Sequence, residues 1–507
     1  MKKYLKDKRF IISTCIFLII LCIGFVKMSY QNDTFYTIKI GELILDKGID
    51  MKDHLSFHNI AYTYPHWLYD VFIYIMYFLG GLTGVYISTI ILFIILILSI
   101  YFVNNKLNKN TFIAFLVSLI CVVGLTNFVA ARAQLLTYIL FVWEFYLINK
   151  FLETGKKKYG IFIFLISLLI CNVHVAVWPF YFILFLPFIG EYVISLLIKV
   201  LKLNKENKIV KFLLDRFVIE DNKNYKYLLL IMGLSLLTGL LTPIGDTPYT
   251  YIIKTIMGNS QEYIVEHKKV ALMSNPFMYV LLIEMLIFTL LSKIKLRDLF
   301  LLLGLTLMSL TSNRHLSFLM IFGLFTFGSV LSNIIKKYEL SFTDILIKFM
   351  SKAYVMIILL VCFSGLSYYI FTTKSKAEFI DKTAYPVELT KYVKENLDID
   401  NIRLYNDYNF GSYLLLNDIP VFIDSRADLY TKQFSGLEND IFDDYMQIYR
   451  KGTYEIYFEQ YDITHALIYK KQALYSNLNN SKNYVLLKED DYFALFEKVE
   501  IEEENNA

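Results

Sequence analysis

Apolar runs long enough to cross a bilayer, or nearly so, recur along this chain at about 10–28, 82–103, 111–128, 133–150, 159–172, 175–199, 226–242, 276–292, 298–311, 315–335 and 353–372. They predict a polytopic α-helical membrane protein of about 11 spans. A shorter apolar segment, "WLYDVFIYIMYFL" at 67–79, reads as interfacial or tilted. Between the first span and that segment lies a first outer loop, 29–66, in which "NDTFYTIKIGELILDKG" has a helical pattern. Asn32 or Asp33 can cap this helix, Phe35, Ile38 and Leu45 fall near one face, and Lys47-Gly48 make a stop.

After residue 372 the pattern changes. Apolar runs shorten to strand length at 402–406, 419–424, 465–469, 483–487 and 492–499, with helical stretches near 386–397, 408–416, 434–450 and 471–479. Asp490-Asp491 reads as a hairpin turn. The expected organisation is therefore a transmembrane domain, 1–372, a soluble α/β domain, 373–500, and a disordered acidic tail, 501–507.

Composition agrees with this class: of 507 residues, 56% are hydrophobic and 19% charged, more apolar surface than one soluble core needs. The five cysteines lie in apolar runs without metal-ligand spacing and read as packing residues. A net charge of +4 gives no ground for a nucleic-acid partner. The placement of the lysines is more informative. With a cytoplasmic N-terminus, the inward connections and N-terminal tail hold about 26 Lys and Arg against about 8 in the outward ones. An odd number of spans then puts the C-terminal domain outside the cell membrane.

In this topology the polar residues at membrane boundaries gather on the outer side. They are Asp33, His66 and Asp70 in "YPHWLYD", Arg132 and Gln134 in "ARAQ", Asn172 and His174 in "CNVHV", Glu266 and His267 in "IVEHKK", and Arg314 and His315 in "SNRH". Charge at the hydrocarbon edge is costly, which makes each a functional candidate. Structural readings stand beside the functional ones: Asp33 as a helix cap, Arg132 and Arg314 as snorkelling anchors, His174 as a hydrogen-bonded bundle residue. A basic outer cavity beside lipid suits a ligand with a phosphate head and a hydrocarbon tail. Arginine pairs with phosphate oxygens, and a nearby carboxylate can take a proton from an attacking hydroxyl. In the C-terminal domain "FIDSRADLY" carries Asp424, Arg426 and Asp428, either ligand groups beyond a strand end or a pair fixing a loop.

These residues carry a family likeness. "NDTFYTIKIGELILDKGIDMKDHLSFHN" followed by "YPHWLYDVFIYIMYFLGG" resembles the first outer loop of bacterial GT-C type multi-spanning glycosyltransferases, including its "D-x-x-S" and "W-L" pieces. "ARAQLLTYILF" resembles the family's Arg-Pro-Gln helix start, with Ala133 where proline is usual, and "LTPIGDTPYTYI" an Asn-Pro-x-Gly segment, with Thr242 for the asparagine. "NVHVAVW", "SNRHLSFLMIF" and "YNDYNFGSYLLLNDIPVFIDSRADLY" resemble later segments in the same order, and Asp70 stands where relatives often have glutamate. The resemblance implies a transferase that takes sugar from a polyprenyl-phosphate-linked donor on the outer leaflet and gives it to an envelope glycan, lipid or protein acceptor. Asp33 would be the base or an acceptor-orienting group; His66, Asp70, Arg132, Gln134, His174, His267, Arg314 and His315 are the expected substrate-binding set. "NFVAAR" has no acidic pair of the kind metal-dependent oligosaccharyltransferases carry, so no tightly bound metal and no cofactor are expected. A glycan polymerase or ligase, and a non-catalytic lipid transporter or envelope scaffold, remain as alternatives.

Overall fold

The computed structural model describes the chain except for Met1, 202–207, 259–281, 284–285, 288–289, 375–377 and 500–507. The expected tail 501–507 and most of the expected span 276–292 therefore lie outside the described residues. The chain forms two compact units: Met1–Lys27 with Tyr86–Thr242 and Ile264–Lys376, and Met28–Val85 with Pro243–Tyr263 and Ala377–Ala507. Among the described residues six helices are long and apolar enough to cross a membrane, namely Lys8–Phe25, Trp67–Asn108, Ala133–Thr154, Val175–Val200, Asn313–Lys337 and Ala353–Thr373. Two shorter apolar helices, Thr111–Gly124 and Tyr225–Leu240, accompany them.

In the first unit, α1 (Lys2–Phe25) packs against the helix Ala353–Lys374, with Phe17 stacked on Phe363 at 5.0 Å and Ser367 Oγ donating to the Ile20 carbonyl at 2.6 Å. A short parallel pair, β1 (Phe217–Val218) and β2 (Ile294–Lys295), joins two of its connections. Beside it a buried ionic cluster forms: Arg297 Nη1 donates to Glu191 Oε2 at 3.2 Å and to Glu220 Oε2 at 2.8 Å, and the Tyr225 hydroxyl donates to Glu191 at 2.5 Å.

The second unit begins with α2 (Asn32–Lys47). Its N-cap is Gln31, without a side-chain cap bond, so Asn32 and Asp33 sit inside the first turn and neither is the cap. The expected stop is present: Lys47 lies in the last turn and Gly48 follows at φ 80°. Phe35 and Ile38 are buried, whereas Leu45, expected on the same face, is exposed. The Phe35 ring meets Tyr385 at 5.1 Å and Tyr413 at 5.5 Å, both from the C-terminal region. Asn32 Nδ2 donates to the Tyr408 carbonyl at 2.7 Å and Lys39 pairs with Asp418 at 2.5 Å. The loop helix is thus fastened to the C-terminal domain by aromatic packing at Phe35 and by polar contacts at Asn32 and Lys39 on either side of it.

The helix α3 (Trp67–Asn108) has 42 residues. A straight helix of that length would run about 63 Å, twice the hydrocarbon thickness of a bilayer. Its geometry breaks at Gly80 and Gly81, where Gly81 takes φ 58°, ψ −149°, a conformation open to glycine and closed to residues with a Cβ. The break separates 67–79 from the long apolar run that follows.

The C-terminal sheet has four strands: β3 (Leu404–Asn406), β4 (His465–Tyr469), β5 (Tyr484–Glu489) and β6 (Phe493–Lys498), in the order β3-β4-β6-β5. β3 and β4 run parallel, while β6 is antiparallel to β4 and to β5. At the β5–β6 hairpin the Asp490 carboxylate accepts from the backbone N–H groups of Tyr492 and Phe493, each at 2.8 Å. The segment 419–424, expected as a strand, is not one. Asn406 occupies its backbone instead, its Oδ1 accepting from the Phe422 N–H at 2.9 Å and its Nδ2 donating to the Ile423 carbonyl at 2.7 Å. What remains is a single parallel bridge from Val421 to Ser56 of the first loop.

Candidate functional site

In the second unit the first loop and "FIDSRADLY" meet in a buried charge cluster. After α2 the loop doubles back, with Asp53 N–H donating to the Ile60 carbonyl at 2.9 Å and Tyr62 N–H to the Met51 carbonyl at 3.0 Å. The Asp53 carboxylate accepts from Ser56 N–H at 3.0 Å and Ser56 Oγ at 2.5 Å, which gives the "D-x-x-S" piece its turn. Arg426 Nη1 then donates to Asp53 Oδ1 at 2.6 Å, while its Nε and Nη2 donate to Asp424 at 2.9 Å and 2.7 Å. The Tyr430 hydroxyl also donates to Asp424, and the Tyr62 ring covers the guanidinium at 5.0 Å. All three charged side chains are almost wholly buried.

Burial by itself raises the Asp53 carboxyl, and the Arg426 charge together with the Ser56 hydrogen bonds outweighs it, leaving Asp53 below its ordinary range. Arg426 is held well above its ordinary value because the two carboxylates overcome the cost of burying it. Asp424 and Arg426 are therefore occupied with each other and with Asp53, and tie the loop to the domain. The Asp428 carboxylate accepts from the Tyr251 hydroxyl at 2.9 Å, fastening the helix Thr247–Met257. His58 lies beside the clasp with Nε2 against the Phe422 carbonyl at 2.7 Å, and burial pulls its pKa down to about 4.

Asp33 lies in the first turn of α2, partly buried, with its backbone carbonyl accepting from Thr37 Oγ1 at 2.9 Å. His66 and Asp70 occur at the start of α3, where His66 Nδ1 lies 2.6 Å from Asp70 Oδ1. The other ring nitrogen of His66 lies 3.1 Å from the Tyr36 hydroxyl of α2.

The remaining described candidates belong to the first unit. Arg132 is the N-cap residue of the helix Ala133–Thr154, with extended backbone, and Gln134 is in that helix's first turn. His174 ends the helix Lys157–Val173 and starts a 3-10 turn, Val175–Val177. Arg314 and His315 form a 3-10 turn of their own, Asn313–His315, in which the His315 ring nitrogen lies 2.9 Å from the Met308 carbonyl. Phe180, six residues beyond His174, touches the His315 ring at 5.3 Å and stacks on Phe318 at 5.1 Å. Tyr138, from the helix that Arg132 caps, donates to Ser317 Oγ at 2.5 Å, and Ser317 Oγ donates to the Arg314 carbonyl at 2.9 Å. These contacts set the helices that follow Arg132 and His174 beside the segment Asn313–Phe318. His267 lies outside the described residues.

This arrangement of helices and a C-terminal α/β domain has a counterpart among solved structures. The Archaeoglobus fulgidus oligosaccharyltransferase, in its apo form, superposes with a TM-score of 0.56 at 11% sequence identity, over 92% of this chain and 70% of that one. The shared fold is the GT-C fold. No protein-family model matches the sequence, and no curated protein does. At that identity the likeness speaks for the fold alone, so the site must be argued from the residues of this chain.

Three residues of the second unit were not among the sequence candidates: Asp53, His58 and Tyr36. Asp53 carried a signal in the "D-x-x-S" piece. Tyr36 carried one in its spacing, three residues after Asp33 on a helix, which puts the two on one face. His58 carried none.

Proposed function

We propose that this chain is a membrane glycosyltransferase of the GT-C type, moving a sugar from a polyprenyl-phosphate-linked donor to an envelope glycan, lipid or protein acceptor on the outer face of the membrane. The observation that carries the reading is Asp33 itself. In a GT-C fold, it sits in the first turn of a loop helix that is clamped to the C-terminal domain at Phe35, Asn32 and Lys39.

In this reading the acceptor hydroxyl attacks the anomeric carbon, its proton passes to the Asp33 carboxylate, and the sugar–phosphate bond breaks with its electron pair on the phosphate. The leaving phosphate needs little acid assistance, so one base suffices. Arg132 and Arg314 hold the phosphate as bidentate donors, His66 and His174 orient donor or acceptor, and Asp70, Gln134, His267 and His315 complete the substrate-binding set. The outward site and the C-terminal domain's outer location follow the charge bias of the connections.

The test is transfer of radiolabel from a polyprenyl phosphate hexose by the purified full-length protein. Asp33→Asn is expected to abolish turnover, a loss of at least about 100-fold for removal of a general base. Circular dichroism of the variant checks that the helical fold is kept. Unchanged turnover in Asp33→Asn would remove Asp33 from the chemistry, and no transfer by the native protein from any polyprenyl phosphate sugar would remove the function.

A further inference from the structure

The contact between α2 and the start of α3 holds more polar structure than packing requires. Gly41 already brings the two backbones together: a Cβ there would come within 2.1 Å of the Asp70 carbonyl oxygen. Phe35 and the aromatic rings around it hold α2 from the other side. Yet Asp70 and His66 are added at this crossing. The Asp70 side chain is fully buried, His66 is 12% exposed, and Asp70 Oδ2 has no hydrogen-bond partner among the described residues. A buried carboxylate with one oxygen unsatisfied costs roughly 1–3 kcal/mol that an apolar pair would avoid, so stability does not explain its presence.

The geometry points to Tyr36 as a substrate-contacting residue beside Asp33, aimed by a hydrogen-bonded chain from Asp70 through His66. An ionised Asp70 Oδ1, 2.6 Å from His66 Nδ1, can only accept, so we assign the ring hydrogen to Nδ1 and the lone pair to Nε2. That nitrogen, 3.1 Å from Tyr36, accepts the phenolic O–H. With its hydrogen committed to His66, the Tyr36 oxygen can act towards a hydroxyl-bearing ligand only as an acceptor. Asp33 is three residues earlier on the same helix face. The ligand class is a sugar hydroxyl, held by Tyr36 while Asp33 takes the acceptor proton. Tyr36 itself gains and loses no proton. His66 and Asp70 are positioning residues. This assignment rests on the transferase reading above.

The experiment is a double-mutant cycle in the full-length protein. Tyr36→Phe keeps the ring and removes the hydroxyl, and kcat/KM is expected to fall about tenfold, the loss of one well-aimed hydrogen bond, with the melting temperature retained. Asp70→Leu removes the acceptor that holds the ring hydrogen on Nδ1 and so releases the aim of Nε2 at Tyr36. It should cost about as much, and the double variant no more than either single one. Additive losses, or full activity in Tyr36→Phe, would overturn the assignment. A second readout needs no activity, so a failure of the transferase reading is told apart. Carbethoxylation of His66 by diethyl pyrocarbonate, mapped by mass spectrometry, should be severalfold faster in Tyr36→Phe, where Nε2 no longer accepts from the Tyr36 hydroxyl. An unchanged rate means the chain does not exist.

Discussion

Arg426 of the C-terminal domain and Asp53 of the first loop, 373 residues apart, form a buried ion pair at 2.6 Å. The guanidinium also holds Asp424, so two carboxylates share one cation away from water. Such a cluster holds only while complete. Arg426→Met should destabilise the second unit by roughly 3–5 kcal/mol, because it leaves two carboxylates buried without a counter-charge. Asp53→Asn should cost less, since Arg426 keeps Asp424. Thermal unfolding of the detergent-solubilised protein checks the order of the two; equal losses would contradict it.

The same pair has an acid limb. Asp53 is held below its ordinary value of 3.8, so the folded state binds a proton less readily than the unfolded chain. Its contribution is complete above that value and is lost as pH falls through the lower, folded one. Asp53→Asn should flatten the stability profile below about pH 4 and leave its shape at neutral pH unchanged.

His58 titrates in a separate window. Burial lowers it from 6.5 to about 4, with the Phe422 carbonyl and neighbouring carboxylates opposing only in part. The neutral ring is the folded form, so its contribution is present above pH 6.5 and declines as pH falls towards 4, where the unfolded chain takes up a proton first. The full effect is roughly 3 kcal/mol. His58→Gln, which keeps a donor for the Phe422 carbonyl, should remove the slope between those two values; a slope that survives assigns it to another group.

In the first unit, Arg297 faces two glutamates of unequal burial: Glu191 is fully buried and Glu220 is 33% exposed. Glu220→Gln should cost on the order of 1 kcal/mol, because water already screens that pair. Arg297→Met strands Glu191 in the interior and should cost roughly 3–5 kcal/mol. Replacing Glu191 as well, in Arg297→Met/Glu191→Leu, should restore most of the loss, as measured by thermal unfolding. A double variant no better than the single one contradicts this account.

The sequence by itself determined the elements whose cause is local. Membrane class follows from runs of apolar residues, since transfer into hydrocarbon is set by the composition of each run. The separation of 67–79 from the next span follows from Gly80-Gly81, the end of α2 from Lys47-Gly48, and the hairpin from Asp490-Asp491, all short-range backbone effects. Tertiary structure decided what depended on a distant partner. The segment 419–424 has strand composition, but Asn406 takes its donors and acceptors. Asp33 looks like a cap, but Gln31 takes that position. Asp424 and Arg426 read equally as ligand groups or as a pair fixing a loop, and Asp53 meets them across 373 residues of chain. Tyr36 looks like one aromatic among 40 tyrosines until His66 and Asp70 stand behind it. Periodicity reports which face a residue occupies, whereas the chemistry of a polar side chain depends on which charge is folded against it, and that is fixed only when the chain closes on itself.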